Sequence, residues 1–289
     1  MTGDISIVIP AYNEAGAIGP TLAALRQMID ASGLSAEIIV VDDGSTDGTG
    51  DQVTALNGVR LIRHRQNRGY GASLKTGIRQ ASHEIIVITD ADGTYPIEMI
   101  PALVGEIGPY DMVVGARTGQ TVHIPLVRRP AKAALNRLAN YLSGVEIPDL
   151  NSGLRVMKRE VVLNFFRLLP SGFSFTTSLT LAMLTNDYNV RFVAVDYFHR
   201  TGQSKIHPIK DTLNFFSLVV RMVLLFRPLR VFIPVVSVFV VLSAIKITYD
   251  INAYDFHLAT STVVLVTLTF QTLVLGLLAD LVVSLHKQA

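Results

Sequence analysis

VITDADGTYP, residues 87–96, runs from an apolar segment straight into two aspartates, Asp90 and Asp92, with only Ala91 between them. Residues 85–88 are all isoleucine or valine. A continuous β-branched run of this kind suits a strand buried on both faces, as in parallel sheets. On this window alone two readings stand. The strand ends in an ordinary polar turn, with Asp, Gly and Pro as turn formers, or the acids face a ligand. The surrounding chain separates the two.

Short Val/Ile-rich runs fall at residues 5–9, 37–41, 59–62, 84–89 and 112–115, and they predict strands. Helical patterns lie between them near 21–31, 48–56, 72–81 and 98–107. This alternation predicts βαβ units and an α/β, doubly wound, mainly parallel sheet covered on both faces. Ligands of such sheets bind beyond the carboxyl ends of the strands. The informative residues sit at those ends: PAYNE (10–14), DDGSTD (42–47) and DADGTYP (90–96). Three acidic strand ends on one rim favour the ligand reading.

Clustered carboxylates repel unless a cation joins them. Mg²⁺ and Mn²⁺ prefer oxygen donors, and Mg²⁺ is commonly held by one or two carboxylates plus substrate phosphates. A nucleoside diphosphate is therefore a natural companion for Asp90 and Asp92. No GxxxxGK[ST] and no GxGxxG opens a helix, so metal rather than an amide cradle is expected to hold the phosphates. NRGYGAS (67–73) is glycine-rich at the wrong spacing and reads as a strand-to-helix loop. His64, His83, His123 and His199 lack ligand spacing and read as ordinary surface histidines.

The chain has 289 residues, of which 49% are hydrophobic and only 17% charged. Soluble domains carry roughly 25% charged residues, so part of the chain is expected in lipid. A net charge of +2 offers no footprint for nucleic acid. The absence of cysteine excludes disulfides, thiolate metal sites and cysteine nucleophiles. The opening residues run into the strand-like segment 5–9 with no basic or signal-type stretch, so no leader is expected.

SIVIPAYNE, IIVVDDGSTDGT, NRGYGASLKTGI and VITDADGTYP resemble the successive motifs of family 2 glycosyltransferases with the GT-A (nucleotide-diphospho-sugar transferase) fold. DLNSGLRVMKREV (149–161) continued by Val162, and HRTGQSK (199–205), resemble later motifs of the dolichol-phosphate mannose synthase and polyprenyl-phosphate glycosyltransferase branch. The resemblance spans roughly residues 4–207. It implies that Pro10, Tyr12, Glu14, Val41 and Asp43 line a nucleoside pocket, with Asp43 accepting from the base. It implies that Asp90, Ala91 and Asp92 form the DxD motif, with Asp92 the more direct ligand of Mg²⁺ or Mn²⁺. Arg117 would contact phosphate, and Arg200 and Lys205 would close over the diphosphate. Arg128, Arg129 and Lys132 stand where relatives hold the acceptor phosphate, in loose register; a solvated helix start is the alternative for the two arginines. One departure concerns Thr94, which occupies the place of a metal-contacting glutamine in many relatives.

The end of the chain differs in character. Residues 231–245 carry no charge, Lys246 interrupts, and 258–279 carry none again. Spans of about 20 apolar residues cross a bilayer. A transmembrane hairpin is expected, with spans at 231–249 and 258–283, a loop at 250–257, and Lys246 snorkelling to the interface. The predicted division is a catalytic domain at 1–207, an interfacial segment at 208–228 and the hairpin at 229–289. Arg221, Arg227 and Arg230 precede the first span and Lys287 follows the second, whereas the loop holds Asp250 and Asp255 and no basic residue. Positive-inside reasoning places the catalytic domain on the cytosolic face of the plasma membrane, in a multi-pass protein.

A nucleotide-sugar donor, a bilayer platform and cations beside the metal point to a polyprenyl phosphate acceptor, dolichyl or undecaprenyl. Asp92, Arg117, Arg128 and Lys132 are then the residues expected to carry an inverting transfer of one sugar. Homo-oligomerisation stays open. The alternatives are a transferase of cell-surface polysaccharide synthesis with another acceptor, and a noncatalytic nucleotide-sugar-binding scaffold. The chain has no tryptophan, so it lacks the QxxRW motif of processive synthases.

Overall fold

The computed structural model describes residues 4–122, 137, 139–141, 144–198, 220–221, 223–253 and 258–288, without the side chains of 120–122 and 286–288. Arg128, Arg129, Lys132, Arg200, Lys205, His123, His199 and most of the expected interfacial segment lie outside the described residues.

The apolar runs form a seven-stranded sheet in the order β3-β2-β1-β4-β6-β5-β7. Its strands are β1 (Ile5–Ala11), β2 (Ala36–Asp42), β3 (Val59–Arg63), β4 (Ile85–Ile88), β5 (Met112–Val122), β6 (Arg155–Lys158) and β7 (Val190–Tyr197). Every residue of β1 is buried, because helices cover both faces of the sheet. On one face α3 (Tyr70–Gln80) and α6 (Phe175–Thr185) enclose Val8, Leu74, Ile78, Phe175 and Leu179. On the other, α1 (Ile18–Ser32) and α4 (Ile100–Glu106) enclose Ile7, Leu22, Leu25 and Leu103. The short α2 (Thr49–Thr54) and α5 (Arg159–Asn164) complete the domain. Close packing of α3 on β1 requires a glycine at Gly77, where a Cβ would overlap Val8 Cγ1.

The sheet is mainly parallel, as expected, with one exception. β6 pairs antiparallel with both β4 and β5, and neither β6 nor β7 is foreseen by the hydrophobic pattern. Strand order reverses at β1, whose neighbours are β2 and β4, so a crevice opens beyond their carboxyl ends. Register places Pro10 opposite Val41 and Val8 opposite Ile88. The three acidic strand ends therefore share one rim.

Two helices long and apolar enough to cross a membrane follow: α7 (Leu229–Ala253) and α8 (Thr260–Gln288). None of their described large apolar side chains is buried, and most, such as Val241, Ile245 and Phe270, are exposed. One expectation needs correction. The first helix runs on to Ala253, so Asp250 belongs to it rather than to a loop. Lys246 bonds Asp250, one turn nearer the helix end. The cause is the start of α8. Asp250 also accepts from the backbone N–H of Ala259 (2.9 Å) and from the Thr262 hydroxyl, satisfying donors that the helix start leaves open. A Ser243–Thr269 hydroxyl contact at 3.2 Å and the packing of Phe232 on Gly276 join the helices along their length.

Candidate active site

At the base of the crevice, two loops are stitched together by short polar side chains. Asn13 adopts a positive φ of 54° and donates its N–H to Ser45 Oγ (2.9 Å), while its own Oδ1 accepts from Thr46 N–H (2.9 Å). The N–H groups of Glu14 and Ala15 donate to Thr49 Oγ1 (2.9 Å) and Asp47 Oδ2 (3.0 Å). Tyr12 and Glu14 are half-buried here, above the paired and buried Pro10 and Val41. Pro10 and Val41 thus face each other across adjacent strands, and Tyr12 and Glu14 follow at the same strand end.

Asp43 turns out to be oriented inward. Its carboxylate accepts from His64 Nδ1 (2.6 Å), Arg68 N–H (2.9 Å) and Gly69 N–H (2.8 Å). Its oxygens hold the turn after β3. The expectation of a surface histidine is corrected at His64: the side chain is only 5% exposed and bridges Asp43 to Thr76 (3.0 Å). A lone histidine has no spacing signal, and its partner lies 21 residues away in sequence. The amides of Arg68 and Gly69 thus face Asp43.

The DxD turn is held from several elements. Ala91 is buried in the core, and its carbonyl accepts from Thr21 Oγ1 of α1 (3.0 Å). Gly93 supplies the positive φ of 68° that turns the chain. Asp92 Oδ1 then accepts from both the hydroxyl (2.7 Å) and the N–H (3.2 Å) of Thr94. The residue that departs from the family pattern thus orients the second aspartate. Asp90 Oδ1 accepts from the Tyr70 hydroxyl (2.9 Å). Its Oδ2 lies against the bare Cα of Gly153, where a Cβ would stand 2.6 Å away. Burial and the charge of Asp90 push the Tyr70 phenol well above its ordinary pKa, so it remains a donor.

A second charged group stands on β5, two strands from β4. Arg117, on β5, donates Nε (2.6 Å), Nη2 (2.9 Å) and its N–H (3.0 Å) to the fully buried Asp149. Its guanidinium lies 5.1 Å from the ring centre of Tyr197. Burial opposes its charge, but Tyr95, Asp149 and Tyr197 outweigh this and hold its pKa well above the ordinary value. The loop bearing Asp149 is fastened from beneath by Arg155, which is fully buried. Arg155 donates to the carbonyls of Ser152 (2.8 Å) and Leu150 (3.1 Å) and to Thr180 Oγ1 (2.6 Å). Burial lowers its pKa to about 10, which leaves it cationic at neutral pH. Tyr95 accepts from Gly153 N–H (2.6 Å) and closes the same loop.

Asp149, Gly153, Arg155 and Tyr70 are the site residues that the sequence does not single out, although the motifs holding them do stand out. Among the described residues no group of three or more acidic, histidine or cysteine side chains converges. The DxD turn itself carries two carboxylates, Asp90 and Asp92. That set suits a divalent cation whose remaining positions are filled by phosphate and water.

Residues 6–166 match the family described as Glycosyl transferase family 2, and residues 227–285 match the GtrB C-terminal hairpin. A dolichyl-phosphate hexose transferase of Haloferax volcanii is 32% identical over 207 residues, covering 71% of this chain and 87% of that protein. An undecaprenyl-phosphate mannosyltransferase of Micrococcus luteus is 26% identical over 212 residues, covering 69% and 86%. Glucosyl-3-phosphoglycerate synthase from Mycobacterium tuberculosis, solved with Mn²⁺, UDP and phosphoglyceric acid, superposes with a TM-score of 0.61 at 22% identity over 76% of this chain and 78% of that one. That likeness bears out the GT-A fold.

Proposed function

Because the chain belongs to glycosyl transferase family 2, we propose that this glycosyltransferase moves one sugar from a GDP- or UDP-linked donor to a polyprenyl phosphate, with inversion, at the cytosolic face of the membrane. The observation that carries the reading is Asp90 and Asp92 at the strand-order reversal of a domain whose chain continues into two exposed apolar helices. Relatives named for dolichyl-phosphate and undecaprenyl-phosphate transfer support the lipid acceptor.

Asp90 and Asp92 would hold Mg²⁺ or Mn²⁺, which when bound neutralises charge on a departing nucleoside diphosphate. The chain's own residues do the rest. Tyr70 and Thr94 keep the two carboxylates turned as the rim requires. Arg117, kept cationic and oriented by Asp149, is the proposed phosphate contact, ready without reorganisation. A phosphate acceptor is already anionic near neutral pH, so the site needs no strong general base; bringing two mutually repelling anions together is the main task. Pro10, Tyr12, Glu14, Val41 and Asp43 remain the proposed nucleoside pocket, and Arg128, Lys132, Arg200 and Lys205 the proposed further phosphate ligands. The proposed division is a catalytic domain at 1–207, an interfacial segment at 208–228 and the hairpin at 229–289. Membranes incubated with a panel of labelled GDP- and UDP-sugars test the reading. Label is expected in the lipid extract with one of them, and none with any would overturn it.

The proposed orientation has its own test. Asn252 is exposed near the end of α7, and Gln288 lies at the end of α8. In this cysteine-free chain, a cysteine replacing Asn252 is expected to react with an impermeant maleimide from outside, and one replacing Gln288 is not. Labelling of the second alone would invert the topology.

A further inference from the structure

We propose that Tyr70 is a positioning residue that sets Asp90 toward a divalent cation. The inference rests on the metal-assisted reading above. Tyr70 is the first residue of α3, and its hydroxyl reaches across to the end of β4 to donate to Asp90 Oδ1 (2.9 Å). Three features make that reach rigid. The ring stacks on Phe173 with centroids 5.6 Å apart. The helix start is clamped by the loop before α6: Ala72 N–H donates to the Ser171 carbonyl (3.0 Å), and Lys75 donates to the Leu169 carbonyl. Gly69 and Gly71 press so closely on the carbonyls of Ser171 and Pro170 that neither position has room for a Cβ.

On the far side Asp90 meets Gly153, where a Cβ would stand 2.6 Å from Oδ2. The carboxylate is thus confined between a fixed donor and a fixed backbone wall. Thr94 does the corresponding work for Asp92 from within the same turn. Tyr70 does it for Asp90 from another element, 20 residues away in sequence. A partner of this kind orders the ligand before the cation arrives. Loss of such a partner typically weakens metal binding 10–100-fold.

The test uses the full chain in detergent or nanodiscs, with Mn²⁺ alone and Mn²⁺ plus UDP or GDP, and reads unbound Mn²⁺ by its EPR signal. Tyr70→Phe keeps the ring and its stack and removes only the hydroxyl. It is expected to raise the Mn²⁺ dissociation constant about tenfold or more, with the metal-free melting temperature unchanged. The Mn²⁺ concentration for half-maximal rate should rise in step, while the rate at saturating Mn²⁺ stays near that of the unaltered protein. Gly153→Ala, which crowds the same carboxylate from the other side, should also weaken Mn²⁺ binding with Tyr70 intact. Unaltered affinity in Tyr70→Phe overturns the proposal and leaves the function standing. If Tyr70→Phe does not fold, Gly153→Ala decides, and unchanged affinity there overturns it. If the unaltered protein binds no Mn²⁺ under either condition, the metal-assisted reading falls and the proposal with it.

Discussion

Asp92→Asn is expected to lower the rate of sugar transfer by about 10²–10³-fold or more, while the protein keeps its melting temperature and its place in the membrane. The two halves of this result have separate causes. Asp92 Oδ1 accepts from the Thr94 hydroxyl and N–H, and an asparagine oxygen accepts both equally well. The turn should therefore survive. What disappears is one negative charge from the proposed pair of cation-binding carboxylates. Initial rates and thermal melting of the purified variant measure both effects, and near-normal turnover would remove Asp92 from the metal site. Asp47→Asn should be far milder, because Asp47 caps the start of α2 and faces solvent.

The second large effect is expected at Asp149, whose carboxylate is fully buried and holds Arg117 by three hydrogen bonds. Asp149→Ala leaves a mostly buried guanidinium without its counterion. Breaking one side of such a pair costs about 3–5 kcal/mol, a fall in melting temperature on the order of 10 °C for a domain of this size. Replacing both partners by apolar residues of similar volume is often neutral. Arg117→Met combined with Asp149→Leu should therefore recover most of the stability. It should not recover transfer, if the fixed charge of Arg117 serves the phosphates. A double variant that is both stable and active would reduce the pair to a structural device.

Comparing residues with structure shows where the sequence speaks plainly. The strands around β1 are legible because burial on both faces leaves uninterrupted Val/Ile runs, and their acidic ends stand out against them. β6 is not, since two of its four residues are basic and one of these, Arg155, is buried by bonds to carbonyls that no local pattern announces. α6 is buried on every side, so its sequence has no polar face to mark a helical period. β7 lies at the sheet edge and mixes exposed with buried positions. The same distinction runs through the site. Asp90 and Asp92 are visible because they adjoin in sequence. Tyr70, Asp149 and Gly153 act on partners 20 to 63 residues away, and only the fold brings them together. In the hairpin, apolar length is legible, whereas the Asp250 contacts that join its helices are not.

The central claim is a single sugar transferred to a lipid monophosphate. Mass spectrometry of the extracted lipid product, with the released nucleotide identified in the same reaction, tests it most directly. The expected result is one hexose on a polyprenyl chain that retains one phosphate, together with a nucleoside diphosphate. A lipid-linked diphosphate with nucleoside monophosphate released, a ladder of sugar lengths, or no lipid product at all would contradict it.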